Sequence, residues 1–170
     1  TISRRQRQMC IRDRVYNYSQ RRMNSKIWAV VPAAGGGSRF GGDIPKQYEL
    51  LNNKPVLSYA LEVLLAHSGV CSVTVALAET DARFDSLATA IADERIKKVI
   101  GGDTRAESVF NALQSLTSVA KGNDFVLVHD AARPLLHEED LAALVEAVNK
   151  SDVGGILATS IADTLKRSEE

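Results

Sequence analysis

The residues best suited to chemistry lie in Val30-Val31-Pro32-Ala33-Ala34-Gly35-Gly36-Gly37-Ser38-Arg39 and, seven residues on, at Lys46 in Ile44-Pro45-Lys46-Gln47. An apolar run ends at Pro32 and passes into a glycine-rich loop bracketed by two cations. Glycine has no Cβ to hold an anion away from backbone N–H groups. Arg39 and Lys46 add full positive charge for the same anion. The combination suits the triphosphate of a nucleotide, with both cations opposing charge at a reacting phosphorus. The spacing does not fit the G-x-G-x-x-G turn of dinucleotide folds, and the Gly-Lys-Ser/Thr of a P-loop is absent. The competing reading is a loop with two solvated cations.

Two further stretches carry chemistry. In Gly101-Gly102-Asp103-Thr104-Arg105-Ala106-Glu107-Ser108, Thr104 and Glu107 have the spacing of a helix capping box. Asp103 and Ser108 could also meet a base edge. An aspartate accepts from the exocyclic amine of cytosine and so favours cytosine over uracil. In Val128-His129-Asp130-Ala131-Ala132-Arg133-Pro134, an acid directly follows an apolar run. Asp130 could hold a divalent cation, Mg²⁺ above all, that bridges phosphate oxygens. The alternative is an ion pair between Asp130 and Arg133. His129 reads as a packing or hydrogen-bonding residue. A weaker site, Asp163-Thr164 with Lys166-Arg167, could touch a second, phosphorylated substrate or form a solvated turn.

Elements must bring these loops together. Ile27–Val31, Val70–Leu77, Lys97–Ile100, Phe125–Val128 and Gly155–Ala158 read as strands. Pro55–His67, Ala82–Ala92, Thr104–Leu116 and Glu138–Val148 carry helical spacing of apolar residues. Alternating strands and helices with continuous apolar strands predict a parallel sheet covered on both faces. Such sheets bind ligands at the carboxyl ends of their strands. Every loop singled out above follows a strand, so all should gather at one edge.

Composition sets the bounds. The chain has 170 residues, 45% apolar and 25% charged, the range of one globular domain. Residues 1–22 hold seven arginines and one acid, which leaves 14 bases against 20 acids from Met23 onward. A mildly acidic body argues against a nucleic-acid-binding face. No apolar run approaches the length of a membrane span. Cys10 and Cys71 have no metal-type spacing and read as free thiols of a reducing cytoplasm. Residues 1–22 lack apolar periodicity and form a leader outside the domain at 23–170. Three readings compete for the leader: a basic arm, an Arg-rich transit peptide that would send the protein to a plastid, or translated non-coding sequence ahead of Met23. At the other end, no closing helix follows Thr164, and the expectation is a domain truncated at its C-terminus.

VPAAGGGSRFG with PKQY, GGDTRAESV and VLVHDAARP together resemble, in order and spacing, the cytidylyltransferase family that makes CDP-alditols. The resemblance covers roughly Ile27 to Arg167. It implies a Rossmann-like three-layer α/β/α nucleotidyltransferase fold with a mostly parallel sheet. It implies CTP and a sugar-alcohol phosphate as substrates, Mg²⁺ as cofactor, and a homodimer. By this likeness Arg39 and Lys46 act on the reacting phosphates. Pro32, Ala33, Ala34, Gly35, Gly37, Gly102, Asp103, Ser108 and Ala131 hold CTP, Asp130 holds the metal, and Arg133 and Thr164 meet the acceptor. The small pair Ala131-Ala132 favours methylerythritol phosphate over ribitol phosphate as that acceptor. A non-catalytic CTP-binding module is the reading from a different class. The family's dimer arm and later basic residues fall beyond Glu170, so CTP binding is expected ahead of turnover.

Overall fold

A computed structural model describes residues 25–35, 44–151 and 153–159. Strand β1 (Ile27–Pro32) is buried along nearly its whole length. Its small and β-branched residues suit a strand packed on both faces. A 3-10 turn (Lys46–Tyr48) precedes a hairpin of β2 (Leu50–Leu51) and β3 (Lys54–Pro55). Asn52 and Asn53 form its two-residue loop with φ of 49° and 63°. Asparagine tolerates that left-handed region, and paired positive φ matches the twist of a hairpin. Then come α1 (Val56–Ala66), β4 (Val70–Leu77), α2 (Phe84–Ile91), β5 (Ile96–Ile100), α3 (Arg105–Leu116), β6 (Phe125–Val128) and α4 (Glu138–Asn149).

The main sheet is parallel, in the order β5-β4-β1-β6. Val30 of β1 lies opposite Thr74 on one side and Val128 on the other. Successive side chains of a strand point to opposite faces, and β1 shows what that achieves. Ile27, Ala29 and Val31 join a core with Leu57, Leu61 and Leu64 of α1, Phe84 of α2 and Leu141 of α4. Trp28 and Val30 pack instead with Ala112 and Leu116 of α3. Helices therefore cover both faces of the sheet, giving the three-layer α/β/α arrangement expected from the sequence.

The chain steps from β1 to β4 to β5 in one direction, then returns to place β6 on the far side of β1. Where the winding direction reverses, the connections leave the carboxyl ends of neighbouring strands on opposite sides and open a crevice. That crevice lies between β1 and β6, the strands that lead to Gly35 and Asp130.

The expected strand at Gly155–Ala158 does not form; residues 154–159 take no regular structure. A strand needs a ladder partner and a face to bury. Val153 is 97% exposed and Ile156 86%, so among the described residues their side chains gain no burial. Gly154, at φ +108°, also turns the chain there. The helix expected from Ala82 begins at Phe84 because Asp81 Oδ1 accepts from the N–H groups of Arg83 and Phe84, at 2.9 and 3.0 Å. Residues 1–22 lie outside the described residues.

Candidate active site

Three loops meet at the carboxyl edge of the sheet. After β1, Ala33 N–H donates to Ala76 O at 2.7 Å, so the ladder to β4 continues one residue past Pro32. Beyond that point the chain leaves the sheet. After β5, Gly101 N–H donates to Leu77 O at 2.8 Å, which pulls the second loop over β4. The two loops then touch. A Cβ on Gly101 would stand 2.5 Å from Ala34 Cβ and 2.9 Å from Ser108 Oγ, so only glycine permits this approach.

The second loop folds as its sequence directs. Thr104 Oγ1 accepts from Glu107 N–H at 3.1 Å, and Glu107 Oε2 accepts from Thr104 N–H at 2.9 Å, a complete capping box. Ser108 is buried and ties the turn: Gly102 N–H donates to its hydroxyl at 3.1 Å. That hydroxyl in turn faces the carbonyls of Thr104 and Gly102, at 3.0 and 3.2 Å. Capping and tying leave the Asp103 side chain exposed beside the crevice.

The third loop carries Asp130. Arg105, the first residue of α3, reaches Oδ1 with Nε at 2.9 Å and Nη2 at 2.8 Å. Arg133 Nε reaches Oδ2 at 2.9 Å, so the ion pair weighed in the sequence is present. Both guanidinium side chains are more than half exposed, and exposed ion pairs break at little cost. His129 has a bonding role, as expected: its Nε2–H donates to Arg133 O at 2.9 Å, since a carbonyl can only accept.

The loops enclose a cavity of about 340 Å³. Pro32, Ala33, Ala34, Gly35, Lys46, Gly102, Asp103, Ser108, Asp130, Ala131 and Arg133 all line it. Gly37, Arg39 and Thr164 lie outside the described residues. The lining also includes Gln47 and Arg105, which the sequence reading left unassigned. Arg105 sits one residue after a strand-following turn and could have been noticed as a cation at the carboxyl edge. Gln47 had no such signal beyond its place beside Lys46. Among the described residues the lining carries three cations (Lys46, Arg105 and Arg133) against two carboxylates, Asp103 and Asp130. The excess favours an anion.

The donor set also bears on a metal. Among the described residues no cluster of three or more His, Cys, Asp or Glu could cage one. Mg²⁺ does not need such a cage, because one carboxylate with substrate phosphates and water suffices. Asp130 supplies one such carboxylate at the cavity, and both its oxygens face exposed guanidinium groups in this structure.

A family model described as 2-C-methyl-D-erythritol 4-phosphate cytidylyltransferase matches residues 27–170. A protein of that name from Xylella fastidiosa is 47% identical over 146 residues, which are 86% of this chain and 63% of the relative. One from Xanthomonas axonopodis pv. citri is 45% identical over 146 residues, covering 86% of this chain and 54% of the relative. A solved structure of 4-diphosphocytidyl-2C-methyl-D-erythritol synthase superposes with a TM-score of 0.73 at 40% identity, over 86% of this chain and 64% of that one. The chain thus spans between about half and two thirds of the length of these relatives.

Proposed function

Because this chain belongs to the 2-C-methyl-D-erythritol 4-phosphate cytidylyltransferase family, we propose that the protein transfers CMP from CTP to 2-C-methyl-D-erythritol 4-phosphate. An oxygen of the acceptor phosphate attacks the α-phosphorus of CTP. The bond from that phosphorus to the bridging oxygen of the β-phosphate breaks, and pyrophosphate leaves. No protein nucleophile is required, since a phosphate monoester is already anionic near neutral pH. The barrier lies in bringing two anions together and in charge on the leaving group. Lys46, and Arg39 by the family likeness, oppose both. Asp103 and Gly102 hold the cytosine edge, Ser108 ties the turn that presents them, and Ala131 meets the ribose side. Arg133 and Thr164 are assigned to the acceptor. Asp130 would hold Mg²⁺, which supplies neutralisation of phosphate charge when bound.

The observation that carries this reading is the convergence of three strand-following loops on one cation-rich cavity at the reversal of the sheet. The names of the relatives favour methylerythritol phosphate over ribitol phosphate. Their bacterial sources favour a cytoplasmic setting over a plastid. No helix among the described residues is long and apolar enough to cross a membrane. The homodimer belongs to the same proposal. The test is pyrophosphate release from CTP with each sugar phosphate. Release with the methylerythritol substrate alone supports the proposal. In a protein of the relatives' full length, CTP binding without release from either would favour a non-catalytic module.

A further inference from the structure

Gln47 is a polar side chain only 4% exposed. Its position is fixed from three directions. Tyr48 N–H donates to Pro45 O at 2.8 Å and closes the 3-10 turn. Tyr48 OH donates to Asp81 Oδ2 at 2.7 Å, while Asp81 Oδ1 caps α2. The Tyr48 ring is itself buried in the main core. The turn that carries Gln47 is therefore bolted to the loop after β4, and Lys46 of the same turn lines the cavity.

The Gln47 amide points at the glycine loop. Nε2 donates to Ala33 O at 2.9 Å and also faces Gly35 O at 3.4 Å. An NH₂ group has two hydrogens, one for each carbonyl. A carbonyl oxygen carries partial negative charge, so one turned toward a triphosphate would repel it. In a planar trans peptide the N–H points away from the C=O. Drawing the 33–34 carbonyl toward Gln47 turns the Ala34 N–H to the opposite side. We infer that Gln47 is a positioning residue: it takes up the loop's carbonyls so that the loop can offer N–H groups to a polyphosphate. It makes no contact with substrate in this role and acts through the loop. The inference rests on the CTP reading given above, and it adds a residue and a reason for the loop's shape.

Calorimetry with CTP and with cytidine tests it on the intact chain. Gln47→Met keeps the volume and apolar stem but removes both donors. Its affinity for CTP is expected to fall about 10-fold or more, the worth of one or two hydrogen bonds. Affinity for cytidine, which has no phosphate, is expected to stay within about twofold of wild type, since its binding does not draw on those two hydrogen bonds. Circular dichroism reports whether the variant folds. A folded Gln47→Met that keeps wild-type CTP affinity, or that loses CTP and cytidine alike, overturns the inference. Tyr48→Phe provides a second route, because it frees the turn from Asp81 while leaving the ring in the core. It too should weaken CTP more than cytidine, and equal retention of both would count against the inference if Gln47→Met does not fold. Failure of the wild type to bind CTP would instead remove the transferase reading, and this inference with it.

Discussion

Lys46 and Asp130 bring a cation and an acid to one cavity. If Lys46 acts on charge that develops during transfer, Lys46→Ala in a protein of the relatives' full length should lower kcat by about 10²–10³ and weaken CTP binding far less. Steady-state rates set against calorimetric affinity check this, and equal loss in both would contradict a transition-state role. Asp130→Asn should abolish the gain in CTP affinity that Mg²⁺ provides, as measured by calorimetry with and without the ion. A gain that persists would mean the phosphates hold the metal unaided. Both residues were legible in the sequence, because a cation after a glycine run and an acid after an apolar run announce themselves locally. Arg105 is legible only as a cation near the carboxyl edge, and Gln47 not at all. Arg105 matters through Asp130, 25 positions away, and Gln47 through Ala33, 14 positions away. Spacing along the chain carries no record of either meeting.

Elements show the same division. The capping box of α3 was legible because its partners are three residues apart and form with any helix that starts there. The strand expected at 155–158 is absent because apolar content signals burial without saying against what. Two substitutions probe the element scale. Ala92 ends α2 in the left-handed region, at φ 54°, where a Cβ is strained. Ala92→Gly should stabilise the fold by about 0.5–1 kcal/mol, read from urea denaturation. Gly101→Ala should do the reverse. Its new Cβ meets Ala34, and relieving an overpacked contact of this kind costs about 1–3 kcal/mol. It should also weaken CTP binding, because the β1 and β5 loops must move apart.

Among the described residues the candidate site lies at the carboxyl edge of the sheet, while two hydrogen-bonded carboxylates brace the amino edge. Asp124, just before β6, is pushed up by burial. Hydrogen bonds from the Lys121 N–H, the Trp28 indole and the Lys26 N–H outweigh that and hold its carboxyl below the usual aspartate range. Asp93, before β5, is held low by the Arg95 side chain and its backbone N–H. A carboxylate whose folded pKa is depressed contributes stability above its unfolded value, near 3.8. That contribution is lost as pH falls through the folded pKa. The urea midpoint should therefore drop on going from pH 6 to pH 3. Asp124→Asn should be less stable at pH 6, with the gap to wild type narrowing at pH 3. The alternation of strands and helices, the layering on both faces, and the loops that carry charge and glycine follow from local pattern, since periodicity and turn chemistry act over a few residues. The return of β6 to lie beside β1 is settled in the folded chain alone. That pairing sets Asp130 across the crevice from Gly35 and within reach of Arg105. Strand order is settled by which faces bury most against one another across long stretches of chain, a competition no local pattern records.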